Sequence, residues 1–126
     1  MDSSDGVVVC AVEDSVVIAT LLCGQIRDHA LVESVKTSLL QAIDSADARS
    51  IIINFQNVKF MSSMAFLALL AVRRRIGGGR VVLCELSPDV TEILLLCRLI
   101  PNPVGSPAPF EVALSMKDAR ERCGLQ

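Results

Sequence analysis

The sequence contains no Trp or Tyr, only four Phe and a single His among its 126 residues. Because 52% of the residues are hydrophobic, the core of the folded protein must be built from aliphatic side chains. Binding to nucleic acid needs a basic face, usually with stacking aromatic side chains. The net charge is −2 and the positive charges are dispersed except at Arg73–Arg75. Nucleic acid is therefore not expected among the partners.

Long hydrophobic runs are also missing. The apolar runs Val16–Cys23 and Ile93–Cys97 are far shorter than the ~20 residues of a membrane helix. The first residues, MDSSDG, are acidic and polar instead of forming the basic start of a signal peptide. We therefore expect a cytoplasmic protein with no membrane insertion. Its length fits one domain over residues 1–126, large enough to bury a core.

Clusters of metal-ligating residues are absent too. The five cysteines are widely spaced, form no Cys-x-x-Cys pair and have no His at metal-ligand spacing. We expect no metal and no cofactor. Cysteines in apolar segments are usually small buried hydrophobes. The prediction is that Cys10, Cys23, Cys84 and Cys97 are buried and that only Cys123 is reachable.

The sequence does not suggest an enzyme. Its one histidine, His29, lies beside a predicted helix start with no neighbour that suggests a catalytic triad. A serine nucleophile needs a base within hydrogen-bond reach, and the Gly-x-Ser-x-Gly elbow of hydrolases is absent around Ser62 and Ser63.

Strand-like and helix-like segments alternate along the chain. Two β-rich runs joined by a short turn predict an antiparallel hairpin, and the later strands are separated by helices, which predicts parallel pairing. We therefore predict an α/β fold with a mixed, mostly parallel five-stranded sheet and about four helices. The predicted strands are Val7–Val12, Val16–Cys23, Ile51–Phe55, Val81–Leu86 and Phe110–Leu114. The predicted helices follow Asp28, Ser63, Ser87 and Ser115, and Asn102–Pro109 is predicted to be a loop.

The segment Asn57–Arg75 is the predicted centre of the fold and of the function. Ser62 and Ser63 lie between a buried strand and an apolar helix. A serine there can accept a hydrogen bond from the first helical N–H groups as an N-cap. The same position favours an anion, because the N–H groups and the helix dipole are positive there. Both interpretations, a cap and an acceptor for a phosphoryl group, remain open.

The helix that begins after Ser87 is apolar almost all round and is predicted to run to Ile100, before Pro101. Ser87 is its predicted N-cap, and Asp89 lies in its first turn. Such a helix is either buried on two sides or presents an exposed apolar patch to a partner.

Three segments together resemble a known family. They are LLCGQI (Leu21–Ile26), IIINFQNVKFMSSMAFLALL (Ile51–Leu70) and VVLCELSPDVTEILLLCRL (Val81–Leu99). In these segments and in the order of its elements, the chain resembles a STAS domain of the bacterial anti-sigma factor antagonist type. The resemblance implies a regulatory domain that binds an anti-sigma factor of the serine-kinase type.

In that family the motif Asp-Ser-Ser/Thr-Gly precedes the central helix, and the kinase phosphorylates its first Ser. In this chain the motif positions hold Ser62, Ser63, Met64 and Ala65, so the resemblance implies Ser63 as the phosphoacceptor and Ser62 as a supporting hydroxyl. It also implies a docking surface at this corner and at the start of the following helix. Its residues are Met61, Ser62, Ser63, Met64, Ala65, Ser87 and Asp89.

Two modes of action remain open on the sequence alone. In one, phosphorylation switches binding, and the protein is a phosphoprotein of signal transduction and transcription regulation. In the other, the domain is a constitutive STAS-like interaction subunit without phosphorylation, as a signalling scaffold or a transport-complex accessory. The apolar, methionine-bearing helix also allows a homodimer.

Overall fold

The computed structural model describes residues 7–102 and 108–125. Within these residues the chain forms seven strands and four helices. The strands are β1 (Val8–Glu13), β2 (Val16–Leu21), β3 (Gln25–Ile26), β4 (Ser50–Asn54), β5 (Phe60–Met61), β6 (Val81–Cys84) and β7 (Glu111–Ala113). The helices are α1 (His29–Ala46), α2 (Ser63–Ile76), α3 (Pro88–Leu96) and α4 (Met116–Arg122).

Five strands form the main sheet in the order β1-β2-β4-β6-β7. β1 is antiparallel to β2, and every other neighbouring pair is parallel. The three isoleucines Ile51–Ile53 of the central strand β4 are fully buried, as expected of a strand covered on both faces. The predicted fold class, a mixed and mostly parallel five-stranded sheet with four helices, is confirmed.

The helices cover the two faces of the sheet unequally. Helices α1 and α2 pack against each other, and with α3 they enclose the larger core. The short helix α4 covers the other face, where a smaller cluster surrounds Ile52, Val82 and Ala119. Among the described helices, none is both long and apolar enough to cross a membrane.

The opening hairpin turns through only two residues, Asp14 and Ser15. Both have positive φ, 48° and 65°, which is the geometry that matches the twist of paired strands. The predicted hairpin is confirmed, and β1 extends to Glu13, one residue past its predicted end at Val12.

The helix ends follow local capping rules. Asp28 caps α1 through a bond from the Leu31 N–H, as predicted. The predicted end of α3 at Ile100 is wrong, because the helix stops at Leu96. Arg98 adopts a φ of 59°, and the N–H groups of Arg98 and Leu99 bond back to carbonyls inside the helix. This is a Schellman motif, and it ends the helix ahead of Pro101.

Other element boundaries also differ from the sequence prediction. The two-residue strands β3 and β5 form a separate small parallel sheet that the sequence pattern did not indicate. Strands β6 and β7 are each two residues shorter than predicted. Most of the predicted loop Asn102–Pro109 lies outside the described residues.

The predicted burial of the cysteines is largely wrong. Cys84 is buried, but Cys10 and Cys97 are exposed, and Cys23 and Cys123 are half-buried. Cys10 lies on the edge strand β1, whose residues after Val8 are exposed, and Cys97 lies just past the early end of α3. In both cases the apolar neighbours in sequence do not cover the thiol.

Candidate interaction site at the start of α2

The start of α2 is fixed by the small sheet that precedes it. Strand β5 pairs with β3, so that Met61 lies beside Ile26. The Ser62 N–H then donates to the Ile26 carbonyl at 3.0 Å, and the Lys59 N–H donates to the Gly24 carbonyl at 2.7 Å. These bonds hold both ends of β5, so the backbone enters α2 at a defined position.

Ser62 occupies the N-cap position of α2 without acting as a side-chain cap. Its backbone is extended, and its carbonyl accepts the first helical bond, from the Ala65 N–H at 3.0 Å. Its side chain accepts no bond from the helix. The Ser62 Oγ is buried and makes no hydrogen bond with any described residue. Of the two interpretations that the sequence left open, a capping bond from the Ser62 side chain is therefore absent.

The other three described helices differ from α2 in this respect. Asp28, Ser87 and Ser115 each accept a bond from an N–H of the first turn of their helix. A cap satisfies part of the positive N-terminal end of a helix. At α2 the side chain at the N-cap position does not provide this bond.

Ser63 is the first residue of α2, and its side chain is exposed. No acidic residue lies in the first turn of the helix, while Arg73, Arg74 and Arg75 lie in its last turn. An anion on Ser63 would meet the positive end of the dipole and no carboxylate from its own helix.

The corner predicted from the sequence divides into a buried and an exposed part. Met61 and Ala65 are only 3% and 2% exposed, so their side chains belong to the core and not to a docking surface. Met64 is 40% exposed. Leu67, one turn further along α2, is 65% exposed and was missed, although the i, i+3 spacing from Met64 would have indicated a shared face.

Met64 and Leu67 border an open groove between α1 and α2. The groove has a volume of about 640 Å³. Val32 and Lys36 line it from α1, and Arg74 lies near the far end of α2. The exposed start of α2 is thus continuous with an apolar groove that has charged residues at its rim.

The start of α3 lies at the same edge of the sheet. Ser87 follows the carboxyl end of β6. Ser62 follows β5, which the chain reaches after it leaves the carboxyl end of the parallel strand β4, and α3 packs against β5. Ser87 is half-buried and caps α3, accepting from the Val90 N–H at 3.2 Å. Asp89 is exposed. The structure therefore brings the two predicted parts of the surface to one end of the domain.

The side chains exposed at this corner determine the contacts that it can make. His29 is the exposed first residue of α1. No group of three or more His, Cys, Asp or Glu side chains in the described part of the chain could hold a metal ion. The exposed groups at the corner are a hydroxyl, a thioether and an aliphatic side chain, which suit contact with another protein.

Comparison with known proteins decides the family. Residues 22–114, about three quarters of the chain, match the family model of the STAS domain. The chain belongs to the STAS domain family. The resemblance drawn from the sequence is confirmed.

Solved structures of STAS domains share this fold. The phosphorylated form of the Bacillus cell fate determinant SpoIIAA is 24% identical, with a TM-score of 0.65 over 91% of this chain and 97% of that one. An anti-sigma-factor antagonist domain protein from Planctomyces limnophilus is 19% identical, with a TM-score of 0.74 over 92% and 96%.

A third similar structure comes from the stressosome, described as a signal integration and transduction hub. It is 16% identical, with a TM-score of 0.61 over 91% of this chain and 95% of that one. At these identities the likeness establishes the fold. This STAS domain thus resembles both anti-sigma factor antagonists and stressosome components.

Proposed function

We propose that this STAS domain is a regulatory protein–protein interaction module of the anti-sigma factor antagonist type. Its partner is an anti-sigma factor of the serine-kinase type, which docks on Ser63, Met64 and the start of α3. Phosphorylation of Ser63 switches this contact off. The observation that carries the proposal is the exposed Ser63 hydroxyl at the one described helix start that has no side-chain cap.

The physical effect of a phosphoryl group at this position differs between the free domain and the complex. Phosphoserine adds about −1.5 to −2 charges at neutral pH and three strong acceptor oxygens. In the free domain these oxygens face the positive end of α2 and solvent, so the fold is retained. In the complex they would be buried beside Met64 or an acidic partner group, and desolvation and repulsion would oppose binding.

A constitutive interaction subunit is the second candidate. The exposed Met64 and Leu67 form an apolar strip that can bind a partner without any phosphoryl group. The similarity to a stressosome component also favours a scaffold. In this case the Ser63 hydroxyl is only a polar group at the rim of the interface.

Phosphopeptide mapping tests the acceptor site. Trypsin releases residues 60–73 as one fragment, in which Ser62 and Ser63 are the only hydroxyl side chains. After incubation with ATP and a lysate of the source organism, the proposal expects one phosphoryl group on Ser63. An unmodified fragment, in a lysate that phosphorylates another STAS protein, would leave the constitutive subunit as the explanation.

Binding measurements with matched variants separate charge from shape. We expect Ser63→Asp to weaken binding to the partner kinase at least tenfold, which is equivalent to about 1.4 kcal/mol. Ser63→Asn, in which the new side chain has a similar size but no charge, should weaken binding much less. Ser45→Asp is the control for added charge. Ser45 is exposed near the end of α1, close to the Asp44–Arg75 ion pair and far from the start of α2. Equal affinities for Ser63→Asp and Ser63→Asn would contradict the switch.

A further inference from the structure

The two edges of the main sheet are protected very differently. At one edge, β7 has only three residues, and its Glu111 pairs with Arg80 at 3.0 Å and with Arg122 at 3.5 Å. Short, charged edge strands of this kind resist pairing with other chains. The edge at β7 is therefore closed to further strands.

The edge at β1 is longer, and its one charged residue, Glu13, lies at its end. β1 has six residues, VVCAVE, with no Pro, Lys or Arg, and its register against β2 runs without a bulge. Val9 and Val12 are 56% and 52% exposed. A six-residue edge strand without a bulge and with exposed apolar side chains is a template for another strand.

The hairpin geometry determines which backbone groups face outward. Glu13 and Val16 close the two-residue turn, and residues in this position exchange hydrogen bonds. Along an antiparallel ladder such hydrogen-bonded pairs alternate with pairs that are not hydrogen-bonded. The Leu22 N–H donates to the Val7 carbonyl, which fits the same alternation. The N–H and C=O groups of Val8, Cys10 and Val12 therefore point away from β2.

We propose that the outer edge of β1 is an interface between two copies of this chain, with the two β1 strands paired antiparallel and Cys10 opposite Cys10 of the second copy. This register is the one that pairs all three outward-facing residues, because Val8 then lies opposite Val12 and Cys10 opposite itself. A shift by two residues in either direction loses one of the three hydrogen-bonded pairs.

Charge and side-chain shape also favour a second copy as the occupant. The one charged residue of β1, Glu13, lies beyond the paired segment and is already held by Arg120 through two bonds of 2.8 Å. No like charges face each other among the paired residues Val8–Val12. On one sheet face Val9 lies opposite Ala11 of the other copy, and on the opposite face Val12 lies opposite Val8. Apolar cross-strand pairs of this kind stabilise sheets.

Sedimentation velocity with matched variants tests the proposal. The wild-type chain is expected to pass with rising concentration from 13.5 kDa to twice that mass. Cys10→Pro removes an outward-facing N–H that the hairpin does not use, and should raise the dissociation constant at least tenfold. Leu67→Lys changes an exposed apolar residue of α2 and should leave the dissociation constant unchanged. A raised dissociation constant for Leu67→Lys would indicate a dimer formed through the helices instead.

Cross-linking of the wild-type chain gives a second, independent measurement. Paired residues of this kind have Cα atoms about 5.5 Å apart, so a short bismaleimide should join the two Cys10 thiols. Cleavage after glutamate isolates residues 1–13, in which Cys10 is the only cysteine.

If Cys10→Pro does not fold, Val12→Lys replaces it, because a lysine on an edge strand opposes pairing. A wild-type chain that stays monomeric up to about 1 mM, or a dimer lost in Leu67→Lys and kept in the β1 variant, would overturn the proposal. Cross-linking through Cys97 alone would also overturn it.

Discussion

Replacing Ser62 with alanine is expected to leave the free energy of unfolding unchanged or to raise it. A serine at an N-cap normally stabilises its helix through the hydroxyl, and its loss costs about 1 kcal/mol. Ser62 occupies that position, but its hydroxyl makes no bond to the helix or to any other described residue. Alanine therefore removes a buried polar group and leaves no helical N–H newly unpaired.

The magnitude follows from comparison with the two serines that do cap their helices. Ser87→Ala and Ser115→Ala each remove a bond of 3.2 Å to a first-turn N–H, and each should lose about 1 kcal/mol. A buried hydroxyl without a partner costs about 1–3 kcal/mol, part of which Ser62→Ala should recover. The difference between the Ser62 variant and the other two should thus be about 1–2 kcal/mol.

Chemical denaturation at neutral pH measures this difference directly. In a domain of this length, 1 kcal/mol corresponds to about 3–5 °C in Tm, so thermal unfolding gives an independent value. The m-value should be the same in all three variants, because none of them changes the surface exposed on unfolding. If Ser62→Ala loses as much stability as Ser87→Ala, the Ser62 hydroxyl does cap α2 and the reasoning about an uncapped helix start is wrong.

Two further matched pairs test the packing. A side chain at Gly79 would place its Cβ 1.5 Å from the Arg49 carbonyl oxygen, so Gly79→Ala should lose more than about 3 kcal/mol, whereas Gly78→Ala has open space and should be neutral or slightly stabilising in the same denaturation assay. Burial, with a smaller effect from Glu85, raises the pKa of Cys84 to about 11, so at pH 8 a maleimide followed by mass spectrometry should label Cys97 and spare Cys84 until the protein unfolds. The unfolded thiol ionises near its ordinary pKa of 9.0, so the contribution of Cys84 to stability is complete below pH 9 and is lost as the pH rises towards 11. Labelling of Cys84 as fast as Cys97 in the folded protein, or equal stabilities of the two glycine variants, would contradict these expectations.

The main elements of the fold could be predicted from sequence because each carries a strong local signal. The Ile51–Ile53 run and the Ser87-Pro88-Asp89 helix start are of this kind, and the structure has both. The strands β3 and β5 could not be predicted, because two residues are too few to show a periodic pattern. The early end of α3 was also missed, since Arg98 is not a residue type that signals a left-handed turn.

The position of the candidate site along the chain stays a prediction, and two residues of its predicted surface, Met61 and Ala65, are buried. Helical spacing places Met64 and Leu67 on one exposed face, yet the sequence offers no sign that Met61 is covered while Met64 is not. That distinction depends on β5 pairing with β3, which is a contact between distant segments. The exposure of Cys10 has the same origin, because an apolar strand is buried only if another element lies over it. Burial is thus the property that the local pattern determined least well.

The uncapped start of α2 connects the fold to the proposed switch. The three capped helices have part of their N-terminal N–H groups satisfied by their own side chains, whereas α2 presents these groups beside an exposed hydroxyl. A phosphoryl group on Ser63 could accept bonds that Ser62 does not, and an anion at a helix N-terminus contributes about 0.3–1 kcal/mol. Phosphorylation would then stabilise the domain slightly while it blocks the docking surface. A free domain that is destabilised by phosphorylation would show that the start of α2 does not accept the charge.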